Sequence, residues 1–312
     1  MGNWLELKKE ILKGLGKGKT CDLVEEVRKT RFNPSQKPSL KKGNQGSKRV
    51  YDYATYLMLV NMYNSEYENY RLLKSLKKDD IIIIRGKYDR AEEVLDSGGL
   101  PFTRTGDKIL SSLSPKQILI LNCPGEISRG RKKDLEDFVE SGGYLISTDW
   151  AIEIVEEAFP GFIKYNDTLT EKDMVKIEIP DPQNEYVKGL FPKEKPVWWL
   201  ESKSYPFETI NPKVKILVKS EELYNRYKAS PVGVVFDYGK GKVFHFISHF
   251  YLQKFKASRL SIHTLANKLK ITTENEILKE TKDIPFEKAL SAYSSARILY
   301  NIILDKLKKN GK

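Results

Sequence analysis

"GGYLISTDWAIEIVEEAF", residues 142–159, joins a strand pattern directly to a helix pattern. After two glycines, a short apolar run over 144–148 passes without a linker into the helical pattern of 152–159. A buried strand feeding a helix directly is the repeating unit of a parallel sheet. The tip of the turn is Asp149. An aspartate there can cap the helix by accepting backbone N–H bonds, and this needs no chemistry. It also lies at a strand's carboxyl end, where open α/β sheets bind ligands.

Upstream, the same alternation begins at Asp79. DDIIIIRG (79–86) and QILILNCPG (117–125) read as strands covered on both faces, because their apolar runs are continuous. Helices are expected in YDRAEEVLDSGG and SRGRKKDLEDFVESGG, the second with Ser128 as its N-cap, and LPFTRTG reads as a short strand. Downstream, MVKIEIP and KVKILVKS alternate like strands, with PVWWLESKSYPF between them as a loop or an edge excursion. PVGVVFDYG and GKVFHFIS read as a hairpin. FEKALSAYSSARILYNIILDKLKKN reads as an amphipathic helix.

The chain has 312 residues and a net charge of +12, with 31% charged residues and a mean hydropathy of -0.50. No apolar run approaches the roughly 20 residues that span a bilayer, and the N-terminus lacks a signal-peptide core. Cytoplasmic localisation without membrane association is expected. Two cysteines, Cys21 and Cys123, exclude a disulfide framework and a four-cysteine zinc site.

The charge is uneven. Residues 1–78 hold 17 Lys and Arg against 8 Asp and Glu, a net of +9. This segment reads as a basic, mainly helical extension, with a flexible loop over 33–49 and a long Tyr-rich helix after it. The α/β domain is expected over 79–312. A basic extension can bind nucleic acid, although tyrosines at helical spacing more often pack against a neighbour. KGLGKGKT (13–20) lacks the first glycine of a P-loop.

His245 and His249, four apart on a predicted strand, lie roughly 13 Å apart and cannot share a metal. No metal or other cofactor is expected. Cys123 ends a predicted strand, where a nucleophile is possible and a buried structural thiol is the simpler reading.

Taken together, LNCPGEIS, DLEDFVESGG, YLISTDWA and YGKGKVFHFISHFY resemble the class I glutamine amidotransferase-like superfamily, in particular its ThuA-like branch. The resemblance covers about residues 79–255 and implies a flavodoxin-like three-layer sandwich with a mostly parallel sheet. Catalytic members of that superfamily carry a Cys–His–Glu triad, with the cysteine central to a G-x-C-x-G elbow. Here the corresponding residues are Ser147, Thr148, Asp149, Trp150 and Ala151, so aspartate replaces the nucleophile. His249 matches the family histidine, Tyr251 replaces the glutamate, and Pro124-Gly125 falls at the oxyanion-hole turn.

An aspartate cannot form the thioester by which a thiolate releases ammonia from glutamine, and Trp150 is expected to crowd the oxyanion position. The resemblance thus implies a non-catalytic binding or scaffold module for a small ligand or protein partner. Its pocket would be formed by Cys123, Pro124, Gly125, Asp149, Trp150, His249 and Tyr251. The alternatives are a hydrolase using Asp149 and His249 on a small carbonyl or sugar-like substrate, and nucleic-acid binding through the extension.

Overall fold

The structure, a computed structural model, describes residues 45–250, 260–271 and 281–312. Helices α1 (Gln45–Ser65) and α2 (Tyr67–Lys74) precede strand β1 (Ile81–Ile84), helix α3 (Ala91–Ser97), and strands β2 (Thr103–Thr105) and β3 (Ile118–Leu121). Helix α4 (Lys132–Glu140) then leads to β4 (Tyr144–Thr148) and α5 (Ile152–Ala158). After these come β5 (Ile163–Tyr165), β6 (Asp173–Lys176), β7 (Val197–Leu200), β8 (Phe207–Thr209), β9 (Lys215–Lys219) and α6 (Glu221–Tyr227). The hairpin β10 (Pro231–Tyr238) and β11 (Gly241–Phe246), a short α7 (His263–Lys268) and a long α8 (Phe286–Lys309) complete the order.

Seven strands form one sheet in the order β2-β1-β3-β4-β11-β10-β9. β2 through β11 in that order are parallel, and β10 runs against both its neighbours. Every residue of β1, β3 and β4 is buried, as expected when helices cover both faces of a parallel sheet. This is the expected flavodoxin-like α/β architecture. Ile84, Leu121, Ser147 and His245 lie level across β1, β3, β4 and β11. The loops beyond that row therefore meet at one edge of the sheet.

Three local expectations are corrected. Ser128 makes no side-chain cap, and α4 starts only at Lys132. In place of the loop alternative, the PVWWLESKSYPF stretch contains β7 and the first residue of β8, strands that pair with β6 and β5 in two small antiparallel sheets. The last helix is buried on nearly every side rather than along one stripe, with Arg297 and Lys306 inside. A helix apolar nearly all round belongs in a core.

The partner of α8 is α1. Val50, Tyr51, Ala54, Met58 and Met62 belong to the same apolar cluster as the sheet strands. Residues 45–49 of the expected loop are helical. The Tyr-rich helix breaks at Glu66, whose carboxylate accepts from buried Arg297 at 2.5 Å. Residues 1–44, with Cys21 and KGLGKGKT, lie outside the described residues, as does Tyr251. No helix of the described residues is long and apolar enough to cross a membrane.

Candidate functional site

The loop after β4 makes its turn at Asp149, whose φ of 45 lies in the left-handed region. A non-glycine residue is rarely held there, and such strain costs about 1–3 kcal/mol unless neighbouring contacts offset it. The backbone thus has the sharp strand-to-helix elbow expected from the sequence. The carboxylate, however, does not cap the helix. Its Oδ2 accepts from Ser204 Oγ at 2.9 Å and its Oδ1 from the Tyr205 amide at 3.3 Å. His249 Nε2 lies 3.1 Å from Oδ2. The helix-cap reading is corrected: Asp149 faces the loop before β8 and the end of β11.

Cys123 reaches the same point from the end of β3, with Sγ 3.8 Å from Asp149 Oδ2. Its amide donates to Thr148 Oγ1 at 3.1 Å, which ties the β3 and β4 ends together. The Cys123–Pro124 peptide is cis, and Gly125 follows at φ 81 against Ala151. On the other side, Gly86 lets the end of β1 approach closely; a Cβ there would sit 2.1 Å from the Cys123 carbonyl oxygen.

That approach brings in Asp89, which the sequence reading did not single out. It is 1% exposed, and its Oδ1 accepts from the Arg90 amide at 2.7 Å and the Phe250 amide at 3.0 Å. The signal that drew attention to Cys123 and Asp149, a polar residue just beyond a buried strand, applies equally to Asp89. Ser204 and Tyr205 carried no comparable signal, because they lie more than fifty residues from Asp149 in a segment read as loop.

Burial disfavours a charged His249, but Asp149, Cys123 and Asp89 outweigh it and hold the imidazole's pKa well above its ordinary 6.5. Burial, reinforced by the Asp149 charge, pushes the Cys123 thiol up. It likewise raises Asp89. Burial and the Asp149 carboxylate thus oppose formation of the thiolate that a nucleophile requires. His245 stands apart. Its Nδ1 lies 3.0 Å from Ser147 Oγ, its ring packs on Phe207, and burial lowers its pKa to about 3.

Trp150 packs against the loop before β8. Its Nε1 donates to the Lys203 carbonyl at 2.6 Å, and its ring stacks on Tyr205 and meets Tyr88 edge-on. Of the expected lining residues, the structure brings Cys123, Asp149 and His249 together, with Pro124 and Gly125 next in the chain after Cys123, and packs a half-buried Trp150 on Tyr205.

No family model matches this chain, and no curated protein does. Among solved structures it is similar to a β-galactosidase from Rahnella sp. R3, at 15% identity and a TM-score of 0.41. That match covers 63% of this chain and about a third (32%) of the β-galactosidase. A ThuA-like protein from Bacteroides uniformis matches at 12% identity and a TM-score of 0.39, over 56% of this chain and 83% of the other. A GMP synthase subunit from Thermoplasma acidophilum matches at 10% identity and a TM-score of 0.43, over 73% and 96%. The sheet order and the parallel strands define the class as α/β, flavodoxin-like.

Proposed function

We propose that this chain is an amidotransferase-like binding or scaffold module whose elbow carries a buried ion pair in place of a nucleophile. The observation that carries this reading is the occupancy of Asp149: both carboxylate oxygens are engaged, by Ser204, Tyr205 and His249. A carboxylate so held is a positioning element. It has neither the thiol chemistry nor the free approach that thioester formation demands.

Ammonia release from glutamine, measured on the full chain, tests the proposal. We expect none from the unmodified protein; sustained release would overturn it. The hydrolase alternative draws on the 3.1 Å contact between Asp149 and His249, which is within reach for acid–base chemistry. Their side chains are only 2% and 1% exposed, which weighs against direct contact with a substrate. Hydrolysis of activated esters that disappears in Asp149→Asn would favour that alternative.

A further inference from the structure

Three side chains from three separate strand ends converge on one point, and their chemistry differs from that of a simple ion pair. Cys123 follows β3, Asp149 follows β4 and His249 follows β11, and all three are buried. Each offers one ligand atom, and these atoms lie within 4.8 Å of one another. The measured separations are 3.1 Å from His249 Nε2 to Asp149 Oδ2 and 3.8 Å from Cys123 Sγ to Asp149 Oδ2. A tetrahedral zinc ion with bonds of about 2.0–2.3 Å holds its ligand atoms roughly 3.3–3.8 Å apart.

We propose that Cys123 Sγ, Asp149 Oδ2 and His249 Nε2 form a three-ligand site for a zinc-class divalent cation, with the fourth position open to water or a small anionic ligand. The sequence reading tested only His245 with His249 and expected no metal. The converging set is Cys/Asp/His, drawn from residues 26 and 100 positions apart along the chain. One sulfur, one imidazole and one carboxylate select a borderline-soft cation over magnesium or calcium, which take oxygen ligands. On coordination the thiol proton and the Nε2 proton pass to solvent, and the two anionic ligands balance the dication.

Two further groups fit the surroundings of such a site. Asp89 Oδ1 accepts from the amide of the residue after His249 at 3.0 Å and so braces the backbone that presents that imidazole. Ser204 Oγ, 2.9 Å from Asp149 Oδ2, orients the ligating carboxylate.

This inference deepens the proposed reading of the elbow and rests on Asp149 not being part of a glutaminase centre. The test uses full-length protein stripped with chelator, dialysed, and titrated with Co²⁺ and then Zn²⁺. We expect one equivalent of cobalt with a thiolate-to-cobalt charge-transfer band, displaced by zinc. Cys123→Ser should abolish the band and weaken binding at least ~100-fold, and Asp89→Asn, which can still accept from the Phe250 amide, should keep the band. Cys21→Ser should leave both unchanged.

If Cys123→Ser fails to fold by circular dichroism, alkylation of the unmodified chain mapped by mass spectrometry replaces it, with zinc expected to protect Cys123. Absence of a stoichiometric cobalt spectrum overturns the site. So does a band that survives Cys123→Ser or disappears with Cys21→Ser, or a lack of zinc protection. Ammonia release measured on the same samples separates the two readings. Failed metal binding without ammonia release removes only the metal site, whereas ammonia release removes the reading on which it rests.

Discussion

Asp149 combines two unfavourable features, a left-handed backbone and a buried charge, and each is matched by a neighbour. Removing the carboxylate takes the acceptor from Ser204 and the Tyr205 amide and the counter-charge from His249, so Asp149→Ala should destabilise the chain by about 3 kcal/mol in urea unfolding. Asp149→Asn, which retains the contacts to Ser204 and Tyr205, should lose less. Because His249's folded pKa is raised, the pair's contribution is complete below about pH 6.5 and is lost as pH rises through the folded value. The stability difference between the unmodified chain and Asp149→Asn should therefore shrink on the alkaline side, as read by denaturant midpoints at several pH values. At this scale the sequence revealed which strand ends matter, since a polar residue after an apolar run is visible in one dimension. It did not reveal Ser204 and Tyr205, whose approach depends on the path of the chain between β7 and β8.

At the scale of elements, α1 and α8 share a buried polar contact. Tyr51 Oη lies 3.0 Å from Ser295 Oγ between them, and both groups are buried. Tyr51→Phe should lower stability by about 1 kcal/mol. Glu66→Gln should cost more, about 3 kcal/mol, because it leaves the guanidinium of Arg297 buried without its counter-charge. Replacing both Glu66 and Arg297 by apolar residues of similar size should restore much of that loss. A double-mutant cycle in urea measures the difference. Both helices were legible from their patterns. Their pairing was not, because a tyrosine-rich basic helix reads the same whether it faces solvent, nucleic acid or another helix.

Over the whole molecule, residues 45–74 and the sheet share one apolar cluster. Unfolding followed by far-UV circular dichroism and by tryptophan fluorescence should therefore give coincident transitions. Trp198, whose Nε1 donates to Ser294 on α8, reports directly on that shared core. Tyr51 and Tyr63 of the basic segment are buried and so are not stacking platforms for bases. Full-length protein should accordingly bind labelled oligonucleotides weakly at low salt. Any such binding should fall by roughly 10³-fold or more between 50 and 200 mM salt if six or so phosphates are neutralised.

The claim on which the functional reading stands is that the elbow holds a carboxylate–imidazolium pair. NMR of ring-labelled histidine in chelator-treated full-length protein observes it directly, with His249→Gln supplying the assignment. His249 should titrate well above its ordinary 6.5, and Asp149→Asn should return it toward lower pH. A His249 that titrates near 6.5 and is unmoved by Asp149→Asn would rule out the pair.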